Sequence, residues 1–198
     1  MITLLLGAGQ VAAATRILAF GDSLTAGLGV APDQSFPAQL AARLKTDGYD
    51  VAVDNGGVSG DTTADGLARF DWTMDDHPNV VLLELGANDM LRGLDPKRAE
   101  TNLDTMLAKL KAAKVKVLLL GMRSSSNWGA DYQKSFDAIY PALAKKYTVP
   151  LYPFFLDGVA LDPKLNQADM LHPNPAGIAV IVTRIAPAVE RLLGQPAG

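Results

Sequence analysis

From Arg16 onward, short continuous apolar runs alternate with segments whose apolar residues recur every three or four positions. Ile17-Leu18-Ala19-Phe20, Val51-Ala52-Val53, Val80 to Leu85 and Val115 to Leu120 read as strands, and Val149 to Phe154 as a shorter fifth. Strands that are apolar at every position must be covered on both faces, and strands that alternate with helices pair in parallel. The chain is therefore expected to be a three-layer α/β domain with a parallel sheet of about five strands. The helical segments are Phe36 to Leu44, Thr62 to Phe70, Asp95 to about Ala113, Asp131 to Tyr147 and Asn174 to about Leu193. Asp95-Pro96 and Asn174-Pro175 place a capping side chain before a first-turn proline, which marks a helix start. Pro141 is expected to kink or split the fourth segment, and Asn55-Gly56-Gly57 reads as a turn closing the second strand.

Length and charge narrow the function classes. A chain of 198 residues with no internal repeat or linker is one domain. A formal net charge of −3 with no long Lys/Arg run argues against an electrostatic grip on nucleic acid. The absence of cysteine excludes a thiolate metal site, a Cys nucleophile and a disulfide framework. Residues 1–14, MITLLLGAGQVAAA, read as a signal-peptide remnant: an apolar stretch and a small-residue cleavage site, though no basic residue precedes Arg16. The domain proper is then 15–198. The apolar part is too short for a membrane span of about 20 residues. Gly7-Ala8-Gly9-Gln10-Val11-Ala12 also fits a dinucleotide fingerprint, but no room remains for its crossover helix before the strand at Ile17.

In an open parallel sheet, ligands bind at the carboxyl ends of the strands. Three candidate residues fall there. Ser23 follows the first strand, Gly60 the second and Asn88 the third. The two histidines are separated by topology. His77 precedes the third strand, about 20 Å from its far end at about 3.3 Å per residue. His172 sits in a loop before the last helix and can reach the site. Asp169, three residues earlier, can accept from the same imidazole and fix its tautomer. Ser23 can serve as a nucleophile, His172 as its base, and the Ser23 and Gly60 N–H groups with the Asn88 amide as oxyanion donors. No G-x-S-x-G elbow occurs. Asp22, Asp61 and Asp89 read as turn caps. Glu84 sits in an apolar strand and needs a partner that the sequence does not name.

The segments Gly21-Asp22-Ser23-Leu24, Ser59-Gly60-Asp61-Thr62, Gly86-Ala87-Asn88-Asp89 and Asp169-Met170-Leu171-His172-Pro173 resemble, in order, the four blocks of the SGNH (GDSL) hydrolases. Gly66-Leu67-Ala68-Arg69, Leu83-Glu84-Leu85-Gly86, Leu91-Arg92-Gly93 and Ile139-Tyr140-Pro141 are similar to the bacterial arylesterase, thioesterase and lysophospholipase branch. The resemblance implies a flavodoxin-like sheet and a periplasmic or secreted home; without a leader in 1–14 the chain would be cytoplasmic. It also implies a catalytic Ser23, Asp169 and His172, an oxyanion hole from Ser23, Gly60 and Asn88, and an acyl site flanked by Leu91, Gly93 and Trp128.

The expectation is a serine esterase acting on small-molecule aryl or short-to-medium acyl esters, with acyl thioesters and lysophospholipids in reach, through an acyl-Ser23 intermediate. It needs no metal or cofactor. Three other readings stand beside it: acyl transfer by the same residues, a metal-dependent phosphoesterase using Asp22, Asp61, Asn88, Asp89 and His172, and a carbohydrate- or lipid-binding module on the same fold.

Overall fold

A computed structural model describes residues 14–196. The signal-like pattern up to Ala13 and the glycine pattern at 7–12 lie outside the described residues.

Five parallel strands form one sheet: β1 (Thr15–Gly21), β2 (Val51–Gly57), β3 (Val80–Glu84), β4 (Lys116–Leu120) and β5 (Leu151–Tyr152), in the order β2-β1-β3-β4-β5. That order is flavodoxin-like. β3 is buried along its whole length because both faces carry helices. Helix α2 (Phe36–Thr46) packs with α8 (Pro175–Leu193); α3 (Thr63–Thr73) packs on α5 (Pro96–Ala112), which packs on α7 (Ile139–Tyr147). Their inward stripes are legible in the chain: α5 buries Ala99, Leu103, Met106, Leu107 and Leu110, all on one face at helical spacing.

Several elements differ from expectation, each for a local reason. Asn55-Gly56-Gly57 is not a turn but the end of β2, with Gly57 in register with Gly21. Glycine is needed there because the short helix α1 (Ser23–Ala26) lies on it: a Cβ at 57 would sit 2.3 Å from the Ala26 nitrogen. The fifth strand shrinks to two residues between Pro150 and Pro153, neither of which can donate to a ladder. The 131–147 segment, by contrast, splits as expected, into α6 (Ala130–Asp137) and α7. Pro141 lacks the N–H that would bond the Asp137 carbonyl, and its ring crowds that carbonyl, so the break falls at Ala138. The α1 helix and α4 (Ala87–Leu91) have no counterpart in the sequence reading; four and five residues are too few to show a helical period.

Candidate active site

All the candidate residues but those of the acyl rim come from segments at the carboxyl edge of the sheet. Asp22 is the N-cap of α1: its carboxylate accepts from the Leu24 N–H at 2.9 Å. This cap makes Ser23 the first residue of the helix, so its own N–H has no intrahelical acceptor. Ser23 lies in a buried stretch and is 8% exposed.

The loop before α8 carries His172. An antiparallel bridge of Asn166 with Pro173 closes this loop, and the Gln167 N–H donates to the His172 carbonyl at 2.8 Å. Gln167 Nε2 also donates to the Leu28 carbonyl at 2.7 Å, which ties the loop to the exit of α1. Within it, Asp169 Oδ1 accepts from the Leu171 and His172 N–H groups at 2.9 and 3.0 Å, around Met170 in the left-handed region at φ 59°. Asp169 Oδ2 lies 2.6 Å from His172 Nδ1, and His172 Nε2 lies 2.9 Å from Ser23 Oγ. The acceptor on one side and the hydroxyl on the other set the tautomer: Nδ1–H donates to Asp169, and Nε2 is left to accept from Ser23. The His172 N–H, then its imidazole, and the Leu171 N–H hold the Asp169 carboxyl down to about 2. His77, by contrast, is exposed at the amino end of β3.

Gly60 sits in the left-handed region at φ 89°, which a side chain would strain. No acceptor among the described residues takes its N–H. Asn88, in α4, reaches the same place, but both of its N–H bonds are engaged: Nδ2 donates to Asp22 Oδ2 at 3.1 Å and to the Asp61 carbonyl at 3.0 Å. An anion at this site would share one of these donors or displace its present acceptor. Spacing alone did not show that commitment.

The carboxylates that could have formed a metal set are spent on structure. Asp61 is paired with Arg69 at 2.6 Å. Asp89 grips Thr63, accepting from its N–H and its hydroxyl at 2.7 Å each. Glu84 finds the partners the sequence did not name. Its Oε2 accepts from Thr25 Oγ1 at 2.8 Å and from the Asp22 N–H at 3.3 Å, while Oε1 has no partner among the described residues. Burial, then the Asp22 charge, pushes Glu84 well above the usual carboxylate range. Burial likewise pushes Asp22 up to about 6, opposed by the Leu24 N–H and the Asn88 amide.

Of the residues expected to flank an acyl chain, Leu91 and Trp128 are each about half exposed. The indole of Trp128 lies against Gly93, where a Cβ would come within 2.7 Å of the ring. Tyr132 backs the indole, with ring centroids 6.2 Å apart, and donates to the Leu94 carbonyl at 3.0 Å. Gly93, Trp128 and Tyr132 thus pack in sequence.

A parallel sheet with a serine, a histidine and a carboxylate joined at its carboxyl edge is the architecture of an acyl-bond hydrolase. The comparisons agree. The GDSL-like lipase/acylhydrolase family model matches residues 19–180. An arylesterase of Vibrio mimicus is 43% identical over 164 residues, covering 82% of each chain. The thioesterase 1/protease 1/lysophospholipase L1 of Escherichia coli is 42% identical over 187 residues, 94% of this chain and 88% of that one. The crystal structure of TesA superposes with a TM-score of 0.85 at 39% identity, over 90% of this chain and 99% of that one. The chain belongs to the GDSL-like lipase/acylhydrolase family. Membership makes it a carboxylic ester hydrolase. Among the described residues, no helix is long and apolar enough to cross a membrane.

Proposed function

We propose that this esterase works through an acyl-Ser23 intermediate, with His172 as base, Asp169 as its orienting carboxylate, and Ser23 N–H, Gly60 N–H and Asn88 as oxyanion donors. The observation that supports this reading is the unbroken run Asp169 Oδ2 to His172 Nδ1 at 2.6 Å and His172 Nε2 to Ser23 Oγ at 2.9 Å. Ser23 Oγ attacks the ester carbonyl as His172 Nε2 takes its proton. The carbonyl oxygen becomes an anion held by the donors. The tetrahedral adduct collapses, His172 protonates the leaving alcohol or thiol, and the acyl group stays on Ser23. Water, activated by the same imidazole, then releases the acid. Asp169 remains ionised and steadies the imidazolium formed at each step.

The substrates proposed are small esters with good leaving groups, aryl esters above all, with acyl thioesters and lysophospholipids as slower candidates. The names of the arylesterase and of the thioesterase/lysophospholipase among its relatives support this range. The acyl chain would lie along the rim of Leu91, Gly93 and Trp128. Export is proposed on the pattern of residues 1–14, and sequencing the amino terminus of the mature protein tests it. For the chemistry, p-nitrophenyl butyrate hydrolysis by wild type and Ser23→Ala decides. A drop of at least about 10⁴-fold is expected, since a residual rate over water survives loss of a nucleophile. Full activity in Ser23→Ala would remove the assignment.

A further inference from the structure

Arg69 lies in α3, eight residues past Asp61, and its guanidinium makes contacts on three sides. Nε donates to Asp61 Oδ2 at 2.6 Å, and Nη2 donates to the Gly21 carbonyl at 2.9 Å. The guanidinium carbon lies over the Phe20 ring, 4.1 Å from its centroid, and Phe20 is itself buried against Phe70. Only 18% of the Arg69 side chain and 12% of that of Asp61 are exposed.

These contacts join the two loops that hold the backbone donors. Gly21 is the last residue of β1, two before Ser23. Asp61 follows Gly60 directly, and its carbonyl is one of the two acceptors of the Asn88 amide. One rigid fork therefore spans the loops carrying the Ser23 and Gly60 N–H groups, and through Asp61 it bears on Asn88 as well. A lysine's three donors radiate from one nitrogen at the end of a flexible stem; the rigid guanidinium donates to the two loops from separate nitrogens, Nε and Nη2, with its carbon over the Phe20 ring.

We propose that Arg69 is a positioning residue for the oxyanion donors, an inference that rests on the roles proposed above for Ser23, Gly60 and Asn88. It touches no reacting atom. It fixes the distance between the Ser23 loop and the Gly60-Asp61 turn, so that three donors converge on one oxygen. Misplacement of a catalytic group by about 1 Å can cost about 10²-fold in rate, which sets the size of the effect.

The test compares wild type, Arg69→Met, Arg69→Lys and Asp61→Asn, with Ser23→Ala beside them. Steady-state kinetics on p-nitrophenyl butyrate, thermal midpoints and reversible inhibition by butylboronic acid, whose tetrahedral serine adduct probes the donors, are measured for each. In Arg69→Met, kcat is expected to fall about 100-fold with KM within about threefold, because the loss is felt in the transition state. The boronic acid should weaken by a comparable factor. Arg69→Lys should recover part of the loss, and Asp61→Asn should move kcat and boronic acid affinity in the same direction. Should Arg69→Met not fold, Asp61→Asn decides by the same two readouts. The proposal is overturned if a folded variant keeps kcat within about threefold, or loses kcat while boronic acid affinity is unchanged. Activity in Ser23→Ala would instead overturn the underlying assignment, so the two failures are distinguishable.

Discussion

Asp169 shows how exposure sets the weight of one side chain. Its carboxylate is 45% exposed, yet it accepts three hydrogen bonds from its own turn. Those bonds hold its carboxyl at about 2, so it stays charged across any pH at which the enzyme would be assayed. Replacing a buried orienting Asp by Asn costs roughly 10⁴-fold in a serine protease, largely through the wrong tautomer. Here water can take over part of the work. Asp169→Asn is expected to lower kcat by between about 10-fold and 10³-fold, less than that buried case. Titrating kcat/KM for p-nitrophenyl butyrate checks it, and a full 10⁴-fold loss would show that solvent gives no relief. The candidate residues could be picked out because a Ser, a Gly and an Asn follow three strands and an Asp and a His share one loop, residue types whose chemistry is recognisable one at a time. What holds them was not legible. Arg69 reaches Gly21 across 48 positions and Gln167 reaches Leu28 across 139. No local pattern encodes such pairs, although the start of α3 at Thr62 does put Gly66, Arg69 and Phe70 on one inward-facing side.

At the scale of elements, α3 acts as the handle by which the Gly60 turn is gripped. Thr62 and Asp65 form a capping box: the Asp65 N–H donates to Thr62 Oγ1, and the Thr62 N–H donates to Asp65 Oδ2 at 3.0 Å. Thr62→Ala should cost about 1 kcal/mol of stability, the usual worth of an N-cap. Urea unfolding would measure it, and a change within about 0.3 kcal/mol would mean that the Thr63–Asp89 grip alone fixes the helix start. The long helices and the buried strands were visible in advance because period 3.6 and unbroken apolar runs are strong signals. The split of the 131–147 segment was visible too, because a proline inside a helical run marks a break. The end of β2 and the two-residue β5 were not, because each is decided by a neighbour: α1 lying on Gly57, and prolines on both sides of β5.

The whole molecule carries a buried acid pair under its site, and this makes stability depend on pH. Asp22 and Glu84 both bind a proton more tightly in the folded chain than in the unfolded one, because burial disfavours their charge. A group whose carboxyl is raised on folding contributes most below its unfolded value and loses that contribution as pH rises. For Asp22 the loss runs from its ordinary 3.8 to about 6; for Glu84 it begins at 4.5 and extends well above. Thermal midpoints should therefore fall as pH rises from about 4 through about 6 and beyond, and Glu84→Gln, which keeps an acceptor for Thr25 but cannot ionise, should flatten that fall. Asp169, held low, acts only in more acidic solution and does not confuse this window. Parallel profiles for the two proteins would rule Glu84 out as a source.

Ser23 and His172 are 149 positions apart, and the second lies on a loop whose far end runs into α8. During synthesis Ser23 therefore emerges long before the histidine proposed as its base. On the roles proposed above, Ser23 cannot be acylated until the loop that carries His172 has been synthesised and docked beside α1.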